Sequence, residues 1–299
     1  MGFICRMIPA MDSTQQKLFS DIGKPRQADL AECQGWLPVR AEDSHKGSNG
    51  RVLIAGGGWA MAGAACLAGW SAYIAGAGLV RIACIPDNVT AITACRPELL
   101  VSGIHATKQL KNLFLQSDVV ALGPGLGQSG WSRNMFEYFL EHRSPDIIDA
   151  DGLNLLAKSP ERRQHWILTP HPGEAARLLQ CQIRDIQADR VAAIKELVKQ
   201  YGGICILKGK NTLLATNKGE LWTCPYGNAV LAVAGTGDVL TGLLAGFLAQ
   251  GMAAEKAAVT AVVLHACAGD VHAAEHGGAG MLASDLMHPI RRLRNGYSV

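Results

Sequence analysis

One pattern recurs along the chain and limits what it can fold into: a short unbroken apolar run, a loop rich in glycine or charge, then a helical stretch. Arg51–Ala55 runs into Gly56-Gly57-Gly58 and then a helix of small residues over Ala62–Ala75. Residues 79–85 form the next apolar run, and Val119–Leu122 runs into Gly123-Pro124-Gly125-Leu126-Gly127. Residues 146–148 lead into Asp149-Ala150-Asp151-Gly152-Leu153-Asn154, and residues 166–168 into Thr169-Pro170-His171-Pro172-Gly173-Glu174. Residues 203–207 deliver Lys208-Gly209-Lys210-Asn211-Thr212. Apolar runs without polar alternation predict strands buried on both faces. Strands that alternate with helices predict a largely parallel α/β sheet with helices on both sides. The loops at the strand carboxyl ends then gather along one edge, where such sheets bind ligands. Residues 213–216 and 221–223, around Asn217-Lys218-Gly219-Glu220, predict a hairpin.

The chain has 299 residues, 48% of them hydrophobic, which is enough for one large α/β domain. Residues 41–299 are expected to form it. Residues 1–40 have weak periodicity, are punctuated by Pro9, Pro25 and Pro38, and read as an N-terminal extension. The formal net charge is only +3, and no Lys/Arg run is interleaved with aromatics. Nucleic acid is therefore not an expected partner, whereas small anions remain open. The nine cysteines are scattered and contain no CxxC pair, which predicts free thiols in a reducing compartment. Residues 59–80 carry no charge and are long enough to span a bilayer, but Gly76-Ala77-Gly78 breaks them. They read as a buried helix followed by a strand. The first residues lack the apolar core of a signal peptide, so a cytoplasmic protein without a membrane partner is expected.

Residues 226–251 carry the most concentrated chemistry. Asp238 is their only ionisable side chain apart from Tyr226, and it follows Gly235-Thr236-Gly237. Leu240, Leu243, Leu244, Phe247 and Leu248 then recur at helical spacing. Asp238 thus falls at the start of a buried helix, where free backbone N–H groups and the helix dipole favour an anion. The preceding glycines allow an anion to approach the backbone. An ordinary capped helix would also use Asp and Gly here.

Other loops offer further candidates. Asp149 and Asp151 at a strand end could serve a metal, a ribose or a helix cap. His171 and Glu174 could be a loop histidine and a dipole-friendly acid, or a substrate contact and an acid that holds hydrated Mg²⁺. Lys208 at a strand end could meet a phosphate. His272 and His276, four residues apart with His265 and Asp270 nearby, could begin a metal site, but no third ligand stands out by spacing.

Taken in order, HKGSNGRVLIAGGG, GPGLG, DADGLNLL, LTPHPGEAARLL, LKGKNT, and GN followed by GTGD resemble the NAD(P)H-hydrate dehydratase family. Each motif alone is weak, whereas their ordered combination over residues 45–290 is specific. The resemblance implies a ribokinase-like three-layer sandwich with a mainly parallel central sheet. It implies a substrate of the (S)-NADHX or (S)-NADPHX kind, a nicotinamide ring hydrated at C6. The co-substrate would be ADP, with ATP as the alternative, and the cofactor Mg²⁺. Lys208, Gly209, Lys210, Asn211 and Thr212 match one segment that contacts the adenine nucleotide. Asn228, Gly235, Thr236 and Gly237 match the other. Ala64, Gly125 and His171 match substrate-binding positions, and Asp238 matches the residue at the reacting hydroxyl; Glu174 is the candidate for a water-mediated metal contact on the reading of its own loop. The HPGE form of the loop is similar to the ADP-using bacterial members. A homo-oligomer, with a tetramer as the assembly, is implied too, and the epimerase half often fused to this domain is absent from the sequence.

The sequence departs from the family at Ala234, where a second glycine is usual, and at Val233, where Ser or Thr is common. The methyl at position 234 is expected to tighten the nucleotide pocket. The chemistry implied is phosphorylation of the C6 hydroxyl with Asp238 as general base, followed by expulsion of phosphate. A small-molecule kinase of the same fold, or a nucleotide-binding sensor without catalysis, are the competing classes.

Overall fold

The computed structural model describes residues 24–142 and 146–297. In chain order its strands are β1 (Arg26–Gln27), β2 (Arg51–Ala55), β3 (Leu79–Cys84), β4 (Leu100–Gly103) and β5 (Val119–Leu122). They continue with β6 (Ile147–Ile148), β7 (Ile167–Leu168), β8 (Ile204–Leu207), β9 (Leu213–Thr216) and β10 (Leu221–Thr223). All ten join one sheet in the order β1-β10-β9-β8-β7-β6-β5-β2-β3-β4. Only β9 runs against its neighbours, pairing antiparallel with both β8 and β10.

The two faces of the sheet are both covered, which is why its strands read as unbroken apolar runs. Val52, Ile54, Ile147, Ile167 and Ile206 point into one core layer. Their immediate neighbours Leu53, Ala55, Ile148, Leu168 and Leu207 point into the other, as the two-residue period of a strand requires. The first layer is roofed by the helices Ala62–Ala75, Thr236–Ala249, Ala254–His276 and Met287–Arg294. The second is roofed by Gly130–His142, Ala150–Lys158, Pro172–Leu178 and Arg190–Tyr201. Three layers result, a helix layer on each side of the sheet.

Small residues let the central pair of helices approach closely. A Cβ placed on Gly242 would lie 2.0 Å from the Ala68 carbonyl oxygen, so only glycine fits where Thr236–Ala249 crosses Ala62–Ala75. Ser71 Oγ donates to the Val239 carbonyl at 2.6 Å across the same contact. Residues 59–80 thus fold as a loop, a buried helix and the start of β3, not as a span. Ala254–His276 is long and apolar enough to cross a membrane by length and composition, and most of it is buried within the fold.

Two features differ from the expectation drawn from sequence. The boundary near residue 40 is not a structural break. Arg26 and Gln27 pair parallel with Trp222 and Thr223, Cys33 is fully buried, and the Trp36 ring meets Trp222 edge-on at 6.2 Å. Residues 26–36 therefore complete the sheet edge and the first core layer. The edge strand β4, for which the sequence carried no expectation, is the second difference. Leu100 is exposed and the next three residues are half-buried, so the run lacks the apolar signature of the inner strands.

The strand order reverses between β2 and β5. Chain that follows β2 goes outward to β3 and β4, then returns to β5 on the other side and proceeds to β8. The loops after β2 and β5 face each other at this switch point. Gly57 N–H donates to the Pro124 carbonyl at 3.0 Å, and Gly58 N–H to the Gly125 carbonyl at 2.6 Å. This is the crevice in which open α/β sheets place ligands.

Candidate active site

The helix Thr236–Ala249 packs over β2 and β5 with its N-terminus at the strand carboxyl ends. Gly235 precedes it at φ +91°, a left-handed conformation that glycine adopts without strain. A Cβ at Gly235 would meet the Leu67 and Ala283 side chains. Thr236 Oγ1 donates back to the Leu231 and Val233 carbonyls at 3.0 and 3.1 Å, closing the loop on itself. Asp238 lies in the first turn and finds no hydrogen-bond or ion-pair partner among the described residues. Burial pushes its carboxyl up to about 7, Asp149 adds to the shift, and Lys208 opposes it. Asp151 and Glu174 raise it further. Burial and the acidic neighbours thus act against the helix start, and Lys208 acts with it.

Beside this helix start opens a cavity of about 600 Å³. Lys208, Gly209, Lys210 and Thr212 line one wall, from the turn between β8 and β9. Asn228, Thr236, Gly237, Leu240, Val262 and His265 line the others. Asn211 stands outside the lining, exposed at the tip of that turn with φ +53°. Gly235 also lies outside the lining. Asn228 is held by Asp270, whose Oδ1 accepts from Asn228 Nδ2 at 2.7 Å and whose Oδ2 accepts from Gly227 N–H at 2.8 Å. Ala234 is exposed, is not in the lining and has no positive φ. Its methyl therefore does not narrow the cavity, which corrects the expectation drawn from sequence.

The remaining candidates follow β2, β5 and β7. Gly125 has φ +58°, and a Cβ there would come within 2.9 Å of the Ala64 Cβ. His171 and Glu174 cap the helix Pro172–Leu178 reciprocally. His171 Nδ1 accepts from Gly173 N–H at 2.9 Å, while Glu174 Oε2 accepts from His171 N–H at 2.8 Å. Because Nδ1 is an acceptor, the imidazole proton sits on Nε2, 3.4 Å from Glu174 Oε1. Burial, Lys208 and Arg177 all press the His171 pKa down, so the ring is neutral. The pair caps the helix, and the His171 side chain remains half-exposed.

Lys208 joins the two halves. Its Nζ donates to Asp149 Oδ1 at 2.8 Å and lies 3.8 Å from Glu174 Oε2. Burial alone would depress the lysine, but Asp149 and Glu174 hold its pKa above the usual value. Burial would raise Asp149, yet Lys208 and the hydroxyls of Thr169 and Thr241 hold it below the usual carboxylate range. Glu174 moves the other way, raised mainly by burial. Asp149 does not cap the following helix with its side chain, and Asp151 instead accepts from Gly127 N–H at 2.8 Å. Thr169, Thr241, His265 and Asp270 were not foreseen as parts of the site. Thr241 carried a signal, since it stands one helical turn beyond Asp238.

Among the described residues no cluster of three or more His, Cys, Asp or Glu could enclose a metal. His272 and His276 stack on each other at 4.7 Å instead. A dedicated cage is thus not built. The donor set does fit a hydrated Mg²⁺, which takes one or two carboxylates and completes its shell with phosphate and water. Asp149, Glu174 and Asp238 act on Lys208, and the raised Glu174 and Asp238 carboxyls are ones a divalent ion would relieve.

The sheet order, the three layers and the glycine-led helix start define an α/β protein of the ribokinase-like class. The profile of the NAD(P)H-hydrate dehydratase family matches residues 52–292, and the chain belongs to that family. The bifunctional NAD(P)H-hydrate repair enzyme Nnr of Coxiella burnetii is 44% identical over 259 residues, covering 87% of this chain and 53% of that protein. The chain spans about half the length of such bifunctional relatives. The ADP-dependent (S)-NAD(P)H-hydrate dehydratase of Neisseria meningitidis serogroup B is 38% identical over 266 residues, covering 86% of this chain and 89% of that one. Among solved structures, the ADP/ATP-dependent NAD(P)H-hydrate dehydratase from Bacillus subtilis, co-crystallised with ATP/Mg²⁺, superposes with a TM-score of 0.76. It is 30% identical, and the match covers 89% of this chain and 96% of that one.

Proposed function

We propose that this chain dehydrates (S)-NADHX and (S)-NADPHX to NADH and NADPH, with ADP converted to AMP and phosphate. The observation that carries the reading is Asp238. A partly buried carboxyl with its pKa raised to about 7 stands at a helix start beside a cavity of nucleotide size. A general base is most effective when its pKa lies near the working pH. Family membership supplies the substrate.

Hydroxide is too poor a leaving group to depart from the hydrated ring unaided. Asp238 accepts the C6 hydroxyl proton as the oxygen attacks the terminal phosphoryl group of ADP. The backbone N–H groups of Gly235, Thr236, Gly237 and Asp238 and the Lys208 ammonium stabilise the charge that develops. The ring nitrogen lone pair then expels phosphate, and loss of a C5 proton restores the double bond. Lys208–Thr212 and Asn228 hold the adenine nucleotide, while Ala64, Gly125 and His171 Nε2 border the hydrated ring. Mg²⁺, held through water by Glu174 and by the nucleotide phosphates, would neutralise phosphoryl charge when bound.

ADP is proposed over ATP on the HPGE loop, and a cytoplasmic location on the described cysteines, all eight of them free thiols. A homo-oligomer, with a tetramer as the assembly, is proposed from the family resemblance. The test is incubation of the chain with NADHX and Mg²⁺, with ADP and ATP in parallel. NADH absorbance that depends on nucleotide, with AMP as by-product in the ADP arm, is the expected result. A stable phosphorylated product without NADH would replace the dehydratase by a kinase, and binding without turnover would leave a sensor.

A further inference from the structure

We infer that Asp149 and Thr241 form a buried pin that fixes the rotation of the helix Thr236–Ala249 about its own axis and thereby aims Asp238. The consequence for turnover rests on the proposal that Asp238 is the base. Asp149 is only 1% exposed, so its carboxylate has no alternative partner in water. It accepts three hydrogen bonds: from Lys208 Nζ at 2.8 Å, from Thr169 Oγ1 at 2.7 Å and from Thr241 Oγ1 at 2.7 Å. These donors come from the ends of β7 and β8 and from the helix, while Asp149 itself follows β6. One carboxylate thus ties three adjacent strand ends to one helix.

Thr241 follows Asp238 by three residues, so the two side chains share a helix face. Whatever rotation brings Thr241 Oγ1 to Asp149 Oδ2 also decides where the Asp238 carboxyl points. The face that meets Ala62–Ala75 does so through Gly242 and Gly246 and through the Ser71 hydroxyl, which donates to the Val239 carbonyl at 2.6 Å. The polar pin is the directional contact on the side of the chemistry. A further donor to Asp149, Lys208, passes beneath the helix start, with Nζ 3.4 Å from where a Cβ on Gly237 would stand. Asp149 thereby places the site's cation and the proposed base from one fixed point. Misplacement of a reacting group by about 1 Å is enough to cost on the order of a hundredfold in rate.

The experiment compares Thr241→Val, which keeps shape and loses the hydroxyl, with Thr241→Ser, which keeps the hydroxyl. Thr241→Val should lower kcat by about tenfold or more while the KM and calorimetric affinity for ADP stay within about twofold, and Thr241→Ser should restore kcat. Asp149→Asn should lower kcat and also weaken ADP, because Lys208 loses its charged partner. A crystal structure of Thr241→Val should show the Asp238 carboxyl displaced. An unmoved Asp238 in that structure overturns the pin whether or not the wild type turns over. So does a folded Thr241→Val protein with wild-type kcat, or a Thr241→Ser protein as impaired as Thr241→Val. A wild-type chain without turnover on NADHX contradicts the proposed activity instead, and the displacement of Asp238 still decides the pin.

Discussion

His265 donates its Nε2 proton to the Thr236 carbonyl at 2.9 Å, directly behind the loop that leads to Asp238. The ring reaches across from the helix Ala254–His276, and burial depresses its pKa to about 4. It is therefore neutral in the folded protein, whereas in the unfolded chain it titrates near 6.5. Between those two values the unfolded chain binds the extra proton, so stability falls as pH drops through that window. Thermal unfolding followed from neutral to acidic pH should show this loss. His265→Gln, which has no titratable ring, should flatten the slope.

Gly235 holds φ +91°, and a Cβ there would stand 2.7 Å from Leu67 Cδ1 and 3.1 Å from Ala283 Cβ. Gly235→Ala should destabilise the fold by roughly 1–2 kcal/mol from the left-handed backbone alone. It should also weaken ADP, because the loop must open to admit the methyl. Thermal melts and ADP titration of the variant check both effects.

Ala234 is exposed and free of backbone strain, although it departs from the family's double glycine. Ala234→Gly should change stability by no more than about 0.5 kcal/mol. ADP affinity should stay the same by calorimetry. A large gain in affinity would mean that the methyl does crowd the nucleotide.

The inner sheet was legible because β2, β5 and β8 are buried on both faces and carry no polar interruption. The edge strands β1 and β4 were not, since their residues face water and mimic loop composition. Within the site, the glycine loops and Asp238 announced themselves through local pattern. The network around Asp149 did not. Its donors Thr169, Lys208 and Thr241 lie 20, 59 and 92 residues away, and only the topology brings them together. His265 stands near two other histidines in the sequence, but its bond is to a carbonyl 29 residues back.

Glu174 offers a test of the proposed metal contact. Its Oε2 accepts the His171 N–H, and Glu174→Gln keeps an acceptor for that bond while removing the charge. The Mg²⁺ concentration for half-maximal turnover should rise about tenfold or more, as it does when carboxylates that support a metal are lost. Titration of Mg²⁺ at saturating ADP reads this directly. Chelation of the ion should abolish turnover in both proteins.

Asp238 bears the central claim, and the pH dependence of kcat/KM tests it. Its carboxyl is raised to about 7, so the base form grows as pH climbs through neutrality and is lost below it. NADH formation from NADHX and ADP should therefore decline by about tenfold per pH unit on the acid side of that value. Asp238→Asn should lose on the order of a hundredfold or more in turnover and lose that acid limb, with ADP affinity kept. An Asp238→Asn enzyme that forms NADH at near wild-type rate, with the acid limb intact, would contradict the account.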